Sequence, residues 1–315
     1  MKTNLRKNNT KIKYRFADEK KAQELFLSNT KFLNNLNQYD LDYRLNKKNA
    51  TLEEYKAFGT SQMREFTEKE KNLVSKQIIK MENTLNNQKM SLPFDEEIIF
   101  IKSTQKEENG SLSYTHSTQI YLGEEIFNMM GDKSDIRDKF EVEKIFWHEL
   151  FHCISRTNAI FRKEMYKIIH FTVMDKDFII PKEIYEISIS NPDVEHHDSY
   201  ATFKIDGKNI DCYMVLTAFK PFNKPGDSFF NCLQFSIVPI DSKGEFYLPQ
   251  DTENFWEIFG RNTPYVIDPE ECLADNFSFA VLNQEYEKYS ECKRNGLNFK
   301  NPEIIEKIIN YLKNN

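Results

Sequence analysis

Trp147-His148-Glu149-Leu150-Phe151-His152-Cys153 is the stretch from which the rest of this chain is read. An α-helix turns by about 100° per residue, so positions four apart share a face one turn above each other. On a helix expected from Glu141 to about Arg156, the imidazoles of His148 and His152 stand side by side, spaced to grip one metal ion. Glu149, next round the helix, can reach a water on that ion and act as a general base. Val142, Ile145, Phe146, Leu150 and Ile154 surround the pair with apolar surface, so the helix should be buried, and buried imidazoles need partners. With six histidines in 315 residues, such a pattern arises by accident on the order of once in a hundred chains, the ordinary false-positive risk of a short motif.

A zinc site with two histidines needs a third protein ligand and an open position for water. Asp268-Pro-Glu-Glu-Cys-Leu-Ala-Asp-Asn-Phe277 offers one. Asp268 fits an N-cap and Pro269 the first helical position, so a helix should begin here. Glu271 and Asp275 then share a face: Glu271 can ligate, and Asp275 can accept the other ring N–H of a ligating histidine. Read alone, Glu270, Glu271 and Asp275 are ordinary helix-start acids favoured by the macrodipole. Beside the histidine pair, the ligand reading prevails. Asp193, Asp198 and Asp268 are lower-ranked third ligands.

The two segments together resemble the gluzincins, the thermolysin-like clan of zinc metallopeptidases, whose HExxH is followed downstream by ExxxD. Here these are His148-Glu149-x-x-His152 and Glu271-x-x-x-Asp275. The longer string is similar to a set of bacterial proteins with an HELFH helix, a PEEILADNF-like helix and a preceding YT…IYL strand. The matching stretches are Trp147–Arg156, Pro269–Phe277 and Tyr114–Leu122, within a resemblance spanning roughly residues 66–290. The gap from His152 to Glu271, roughly 120 residues, is longer than in a minimal member, and Asp268 stands where that set often has histidine. The resemblance implies a zincin-like α+β fold and zinc-dependent hydrolysis of peptide bonds in a peptide or protein substrate. It also implies that the strand before the metal helix rims the cleft, where substrate adds as an antiparallel strand. The metzincin extension would need glycine at 155 and histidine at 158; Ser155 and Asn158 exclude it.

Composition frames these expectations. A chain of 315 residues with 26 Phe and 15 Tyr can bury a substantial core. The net charge of −6 comes with no basic, aromatic-laced stripe, which argues against a nucleic-acid partner. Five irregularly spaced cysteines point to free thiols in a reducing compartment. Cys153 and Cys272 sit beside the proposed ligands but off their four-residue spacing, and read as core residues. No apolar run is long enough to span a membrane, and no secretory signal follows the basic N-terminus, so residence is expected to be cytoplasmic, with non-classical secretion left open.

Along the chain, residues 1–13 read as frayed and Phe16 to about Met90 as helical, with capping boxes at Thr51-Leu-Glu-Glu54 and Thr67-Glu-Lys-Glu70. Ile98–Ile101 and Ser113–Leu122, around Asn109-Gly110, read as a hairpin. A helix should run from Thr157 or Asn158 to about His170, a helix-end or core histidine. Ala201–Ile205 and Asn209–Ala218 flank an Asp206-Gly207 turn, and Phe229–Ile240 and Glu245–Leu248 flank Asp241-Ser-Lys-Gly244. This is a β insertion, at about 199–249, between metal helix and third-ligand helix. Pro302 opens a closing amphipathic helix with Ile304, Ile305, Ile308, Ile309 and Leu312 on one stripe. The division expected is a helical subdomain over 1–90 and a catalytic domain over 91–315.

The chemistry implied is attack by metal-activated water with Glu149 as base. A further donor should face the developing oxyanion: His197, beside Asp198, and Tyr265 are the candidates. Arg156 can pair with a carboxylate near the metal or form a surface ion pair. The alternative is a non-catalytic zinc-binding protein using the site for folding or partner binding, against which an intact Glu149 argues.

Overall fold

The computed structural model describes residues 10–132, 134–226, 232–283 and 299–314. It is mixed α and β, built on two small sheets. The first combines β1 (Lys13–Phe16), β2 (Met63–Arg64), β3 (Glu97–Ser103), β4 (Ser113–His116) and β5 (Gln119–Leu122), in the order β1-β3-β5-β4, with β2 also pairing to β3. Side chains alternate across a strand, and here both faces are apolar. Ile98, Phe100, Ile120 and Leu122 enter the main core, while Ile101, Tyr114 and Tyr121 enter a second one.

Helices cover both faces. α1 (Glu19–Ser28), α2 (Thr30–Asn35), α3 (Gln38–Leu45) and α4 (Leu52–Gln62) supply Ala22, Phe26, Leu33, Leu41 and Tyr55 to the second core. α5 (Glu68–Gln88) supplies Val74, Ile78, Met81 and Leu85 to the main one. Both threonine capping boxes form as expected, at Thr51 and Thr67. The stretch to Met90 is nevertheless not wholly helical. β1 pairs in parallel with β3 and β2 antiparallel with it, and α5 shares the core of the downstream chain.

The expected hairpin between Ile98–Ile101 and Ser113–Leu122 is corrected in two ways. β3 and β5 run parallel. Tyr114–Leu122 is not one strand but a tight hairpin of β4 and β5, turning at Ser117 with φ +52°. Asn109 (φ +57°) and Gly110 (φ +83°) do reverse the chain, but after a 3-10 turn at Lys106–Glu108, with the Gly110 N–H returning to the Gln105 carbonyl. A reversal by itself does not say which strands pair. β4 is the terminal strand on one side of the sheet.

After α6 (Glu124–Met129) comes the helix that carries His148 and His152, α7 (Ile136–Thr157), which begins five residues before the expected Glu141. Asp135 sets that start: its Oδ1 accepts the N–H groups of Arg137 and Asp138. α8 (Ala159–Ile168) is capped by Asn158 and ends before His170, which is exposed with φ +65°. The second sheet, β6 (Thr172–Val173), β7 (Ser199–Ile205), β8 (Lys208–Ala218) and β9 (Leu233–Pro239), is the expected β insertion. Asp206 and Gly207 close β7 to β8 with φ of +49° and +72°, as a two-residue turn of this type requires. Phe229–Asn231 of the strand expected from Phe229 lie outside the described residues. Glu245–Leu248 contributes only a bridge, Tyr247 to Ile237.

α9 (Lys182–Tyr185) and α10 (Phe255–Phe259) are short, and α12 (Pro302–Asn314) buries Ile304, Ile305, Ile308 and Leu312 as the stripe predicts. α11 (Pro269–Leu282) is the central helix, with all its residues buried. A helix covered all round lies inside a core. It packs on α7, with the Phe277 ring 6.3 Å from Trp147 and 5.5 Å from Phe151. Among the described residues no helix is long and apolar enough to cross a membrane.

Candidate metal centre

The packing of α11 against α7 sets the site. Glu270, Glu271 and Asp275 lie on a buried helix, where ionised carboxylates are costly unless paired. Their partners are the two histidines of α7. Glu271 Oε2 lies 3.0 Å from His148 Nε2 and 3.6 Å from His152 Nε2. The two imidazoles stand with centroids 4.8 Å apart, as their four-residue spacing predicts. His148, His152 and Glu271 thus each offer a donor atom to one point. Donors about 2.1 Å from a tetrahedral zinc ion lie about 3.4 Å from one another, a value that the two carboxylate–imidazole distances bracket.

The remaining ring nitrogens are held from behind. His148 Nδ1 is 3.0 Å from Asp275 Oδ1, whose other oxygen accepts the Thr263 hydroxyl at 2.5 Å, and Lys144 Nζ is 2.9 Å from Oδ1. His152 Nδ1 is 3.1 Å from Glu270 Oε1. Glu270 Oε2 in turn accepts Tyr166 Oη at 2.6 Å and Ser155 Oγ at 2.9 Å. A carboxylate behind Nδ1 fixes that atom as the protonated one and leaves Nε2 to bind a metal. His152 Nε2 is buried without a hydrogen-bond partner. Such an unpartnered buried ring nitrogen, facing a carboxylate and a second imidazole, fits a metal ligand.

Glu149 has one oxygen fixed and one without a partner. Ser113 Oγ on β4 donates to Oε1 at 2.6 Å, and Oε2 is buried with no hydrogen bond. Burial, and secondarily the charge of Asp193, push its carboxyl up to about 7. For His148 burial acts downward, but the Asp275 and Glu271 carboxylates hold it up at about 9. For Asp275 burial acts upward, and the hydrogen bond to His148 outweighs it, leaving its carboxyl at about 2. Burial also pushes the Cys153 and Cys272 thiols far up, which keeps them as protonated core residues.

Of the two oxyanion candidates, Tyr265 is close. Its ring centroid is 6.1 Å from that of His148, it is half-exposed, and burial plus the charges of Glu271 and Asp193 raise its hydroxyl well above the usual range. His197 is elsewhere: its backbone N–H donates to Asp177 Oδ1 and its carbonyl accepts from Phe178. Among the described residues no polar contact joins its ring to the cluster. Asp198 is committed to Arg162, at 2.6 and 2.8 Å, and Asp268 caps α11.

Glu270 and Asn191, outside the expected site, and Asp193, a lower-ranked ligand candidate, also reach it. Glu270 supports His152. The Asn191 side-chain N–H donates to Glu271 Oε1. A carboxylate oxygen of Asp193 lies within 4.8 Å of a ring nitrogen of His152 and an oxygen of Glu149. Glu270 had a readable signal in its place beside Glu271 on a buried first turn. Asn191, in an irregular polar segment, had none. Comparison with protein-family models, curated proteins and solved structures finds no match to this chain.

Proposed function

We propose that this chain is a zinc-dependent hydrolase of peptide bonds, with His148, His152 and Glu271 as metal ligands and Glu149 as general base. The observation that carries this reading is the convergence of three donors on one point beside an otherwise unbonded glutamate oxygen. Zinc bound there would polarise a substrate carbonyl and bring the pKa of a water towards about 7.

The rest falls to the chain's own side chains. Asp275 and Glu270 hold the two imidazoles in the tautomer that offers Nε2. Ser113 anchors Glu149 through Oε1, so that Oε2 is the atom that accepts a proton and returns it to the leaving amine. A carboxyl at about 7 suits both roles at neutral pH. Tyr265, kept protonated, is the donor for the oxyanion. A peptide substrate is favoured because Ser113 lies on the edge strand β4, and edges accept extended chains by backbone hydrogen bonding. The test is Glu149→Gln. Zinc should stay bound while turnover of a mixed peptide library falls by about 10²–10⁴; undiminished turnover by the zinc-loaded variant would refute the mechanism.

A further inference from the structure

The edge of β4 is already taken, by the same chain. Asp193 Oδ1 accepts both the backbone N–H of Thr115, at 2.7 Å, and its hydroxyl, at 2.6 Å. Glu195 Oε1 accepts the backbone N–H of Ser117 at 2.8 Å. These N–H groups point away from β5, where an added strand would look for them.

Two clasps hold the segment from Ser190 to Glu195 in place. At one end Ser190 donates its N–H and hydroxyl to Asp40, at 2.8 and 3.0 Å, and its carbonyl accepts from Arg44 at 2.6 Å. At the other, Arg156 reaches the Pro192 carbonyl at 3.0 Å and Glu195 at 3.3 Å. Arg156 stands one helical turn beyond His152, so the metal helix itself carries the second clasp. Between the clasps, Asn191 bonds Glu271, and Asp193 faces His152 and Glu149.

Ser190, Asn191 and Pro192 also form the wall between two spaces. On one side, beside Ser113 and Tyr265, is a cleft of about 110 Å³. On the other, beside His116 and Glu195, is a cavity of about 630 Å³. Pockets that bury a ligand measure about 300–1,000 Å³, so the first is too small for a peptide and the second lies behind the wall.

We infer that Ser190–Glu195 is a strap that closes the cleft, with Asp193 as its latch, and that the arrangement described is the closed form. The strap occupies the edge where substrate would pair and fills the space beside Glu149. Lifting it frees the Thr115 and Ser117 N–H groups and joins the two spaces into one groove along β4. The inference rests on the metal-site reading above.

The test uses acetohydroxamate, a small zinc-directed ligand whose binding needs no turnover. Its affinity is measured by calorimetry on wild type and Asp193→Ala, with zinc content determined on the same samples. Asp193→Asn, which keeps the volume and removes the charge, serves if the alanine variant fails to fold. Release of the strap should tighten acetohydroxamate at least tenfold and speed hydrogen exchange at the Thr115 amide, leaving the β5-paired Tyr114 amide unchanged. Equal affinity with zinc present in both proteins overturns the strap and leaves the metal centre standing. Absence of zinc from both overturns the metal reading and the strap with it.

Discussion

Replacing Arg44 by methionine should destabilise the fold by about 3–5 kcal/mol, the usual consequence of stripping one partner from a buried ion cluster. The Arg44 side chain is inaccessible to solvent, as is that of Asp40, and Glu108 is almost so. The guanidinium donates to Asp40 at 2.6 Å and to Glu108 at 2.9 and 3.2 Å. Tyr55 Oη also donates to Glu108, at 2.7 Å. Burial already pushes the Glu108 carboxyl up, opposed chiefly by the charge of Arg44. Methionine fills a similar volume but leaves two carboxyls buried without a counter-charge, and the Ser190 carbonyl without its donor. Unfolding entropy is about 2.1 cal/mol/K per residue, or about 0.7 kcal/mol/K for a chain of this length, so the melting temperature should fall by about 4–7 °C. Calorimetric melts of wild type, Arg44→Met and the triple variant with Asp40→Asn and Glu108→Gln test this. The triple variant should regain much of the loss, since its carboxamides carry no charge. A fall of less than about 1 °C in the single variant would refute the assignment of a tightly paired buried cluster.

Glu270→Gln should weaken zinc binding about 10- to 100-fold with the fold intact, as loss of a carboxylate behind a ligating histidine does; competition against a chromophoric chelator measures it, and unchanged affinity would remove Glu270 from the site. Asp268 carries a pH signature, because burial lifts its carboxyl from 3.8 in the unfolded chain to about 8. Between those values the unfolded chain ionises Asp268 and the native state keeps it protonated. Its contribution to stability is therefore fully present below about pH 4 and is lost as pH rises to about 8, at up to about 1.4 kcal/mol per unit. Asp268→Asn keeps an oxygen to cap α11 and should flatten that slope in denaturant titrations between pH 5 and pH 8; an unaltered slope would contradict the assignment.

What the sequence showed well was whatever rests on local spacing. The four-residue steps from His148 to His152 and from Glu271 to Asp275, the Asp268-Pro269 helix start and the Asp206-Gly207 turn are written within a few residues, and each forms as read. Pairing over distance was not legible in the same way. Nothing near Ile98–Ile101 says that β3 lies parallel to β5, or that four residues at Lys13–Phe16 complete the sheet on its other side. Glu270, taken alone an ordinary helix-start acid, finds one of its partners in Tyr166 of α8, a hundred residues earlier. His197 stands out in the sequence through its neighbour Asp198, but that carboxylate is held by Arg162 and, among the described residues, no polar contact joins the imidazole to the cluster. The segment at Ser190–Glu195 has neither period nor motif; its place follows from Asp40, Arg44 and Arg156, which converge on it from two helices.

The central claim is that His148, His152 and Glu271 hold one zinc ion, and elemental analysis of purified wild type beside Glu271→Ala tests it most directly. The account predicts close to one zinc per chain in wild type and a sharp loss in the variant, both samples being exposed to the same zinc and then dialysed. Equal zinc in the two proteins would move the third ligand away from Glu271, and a wild type that takes up no zinc would contradict the account outright.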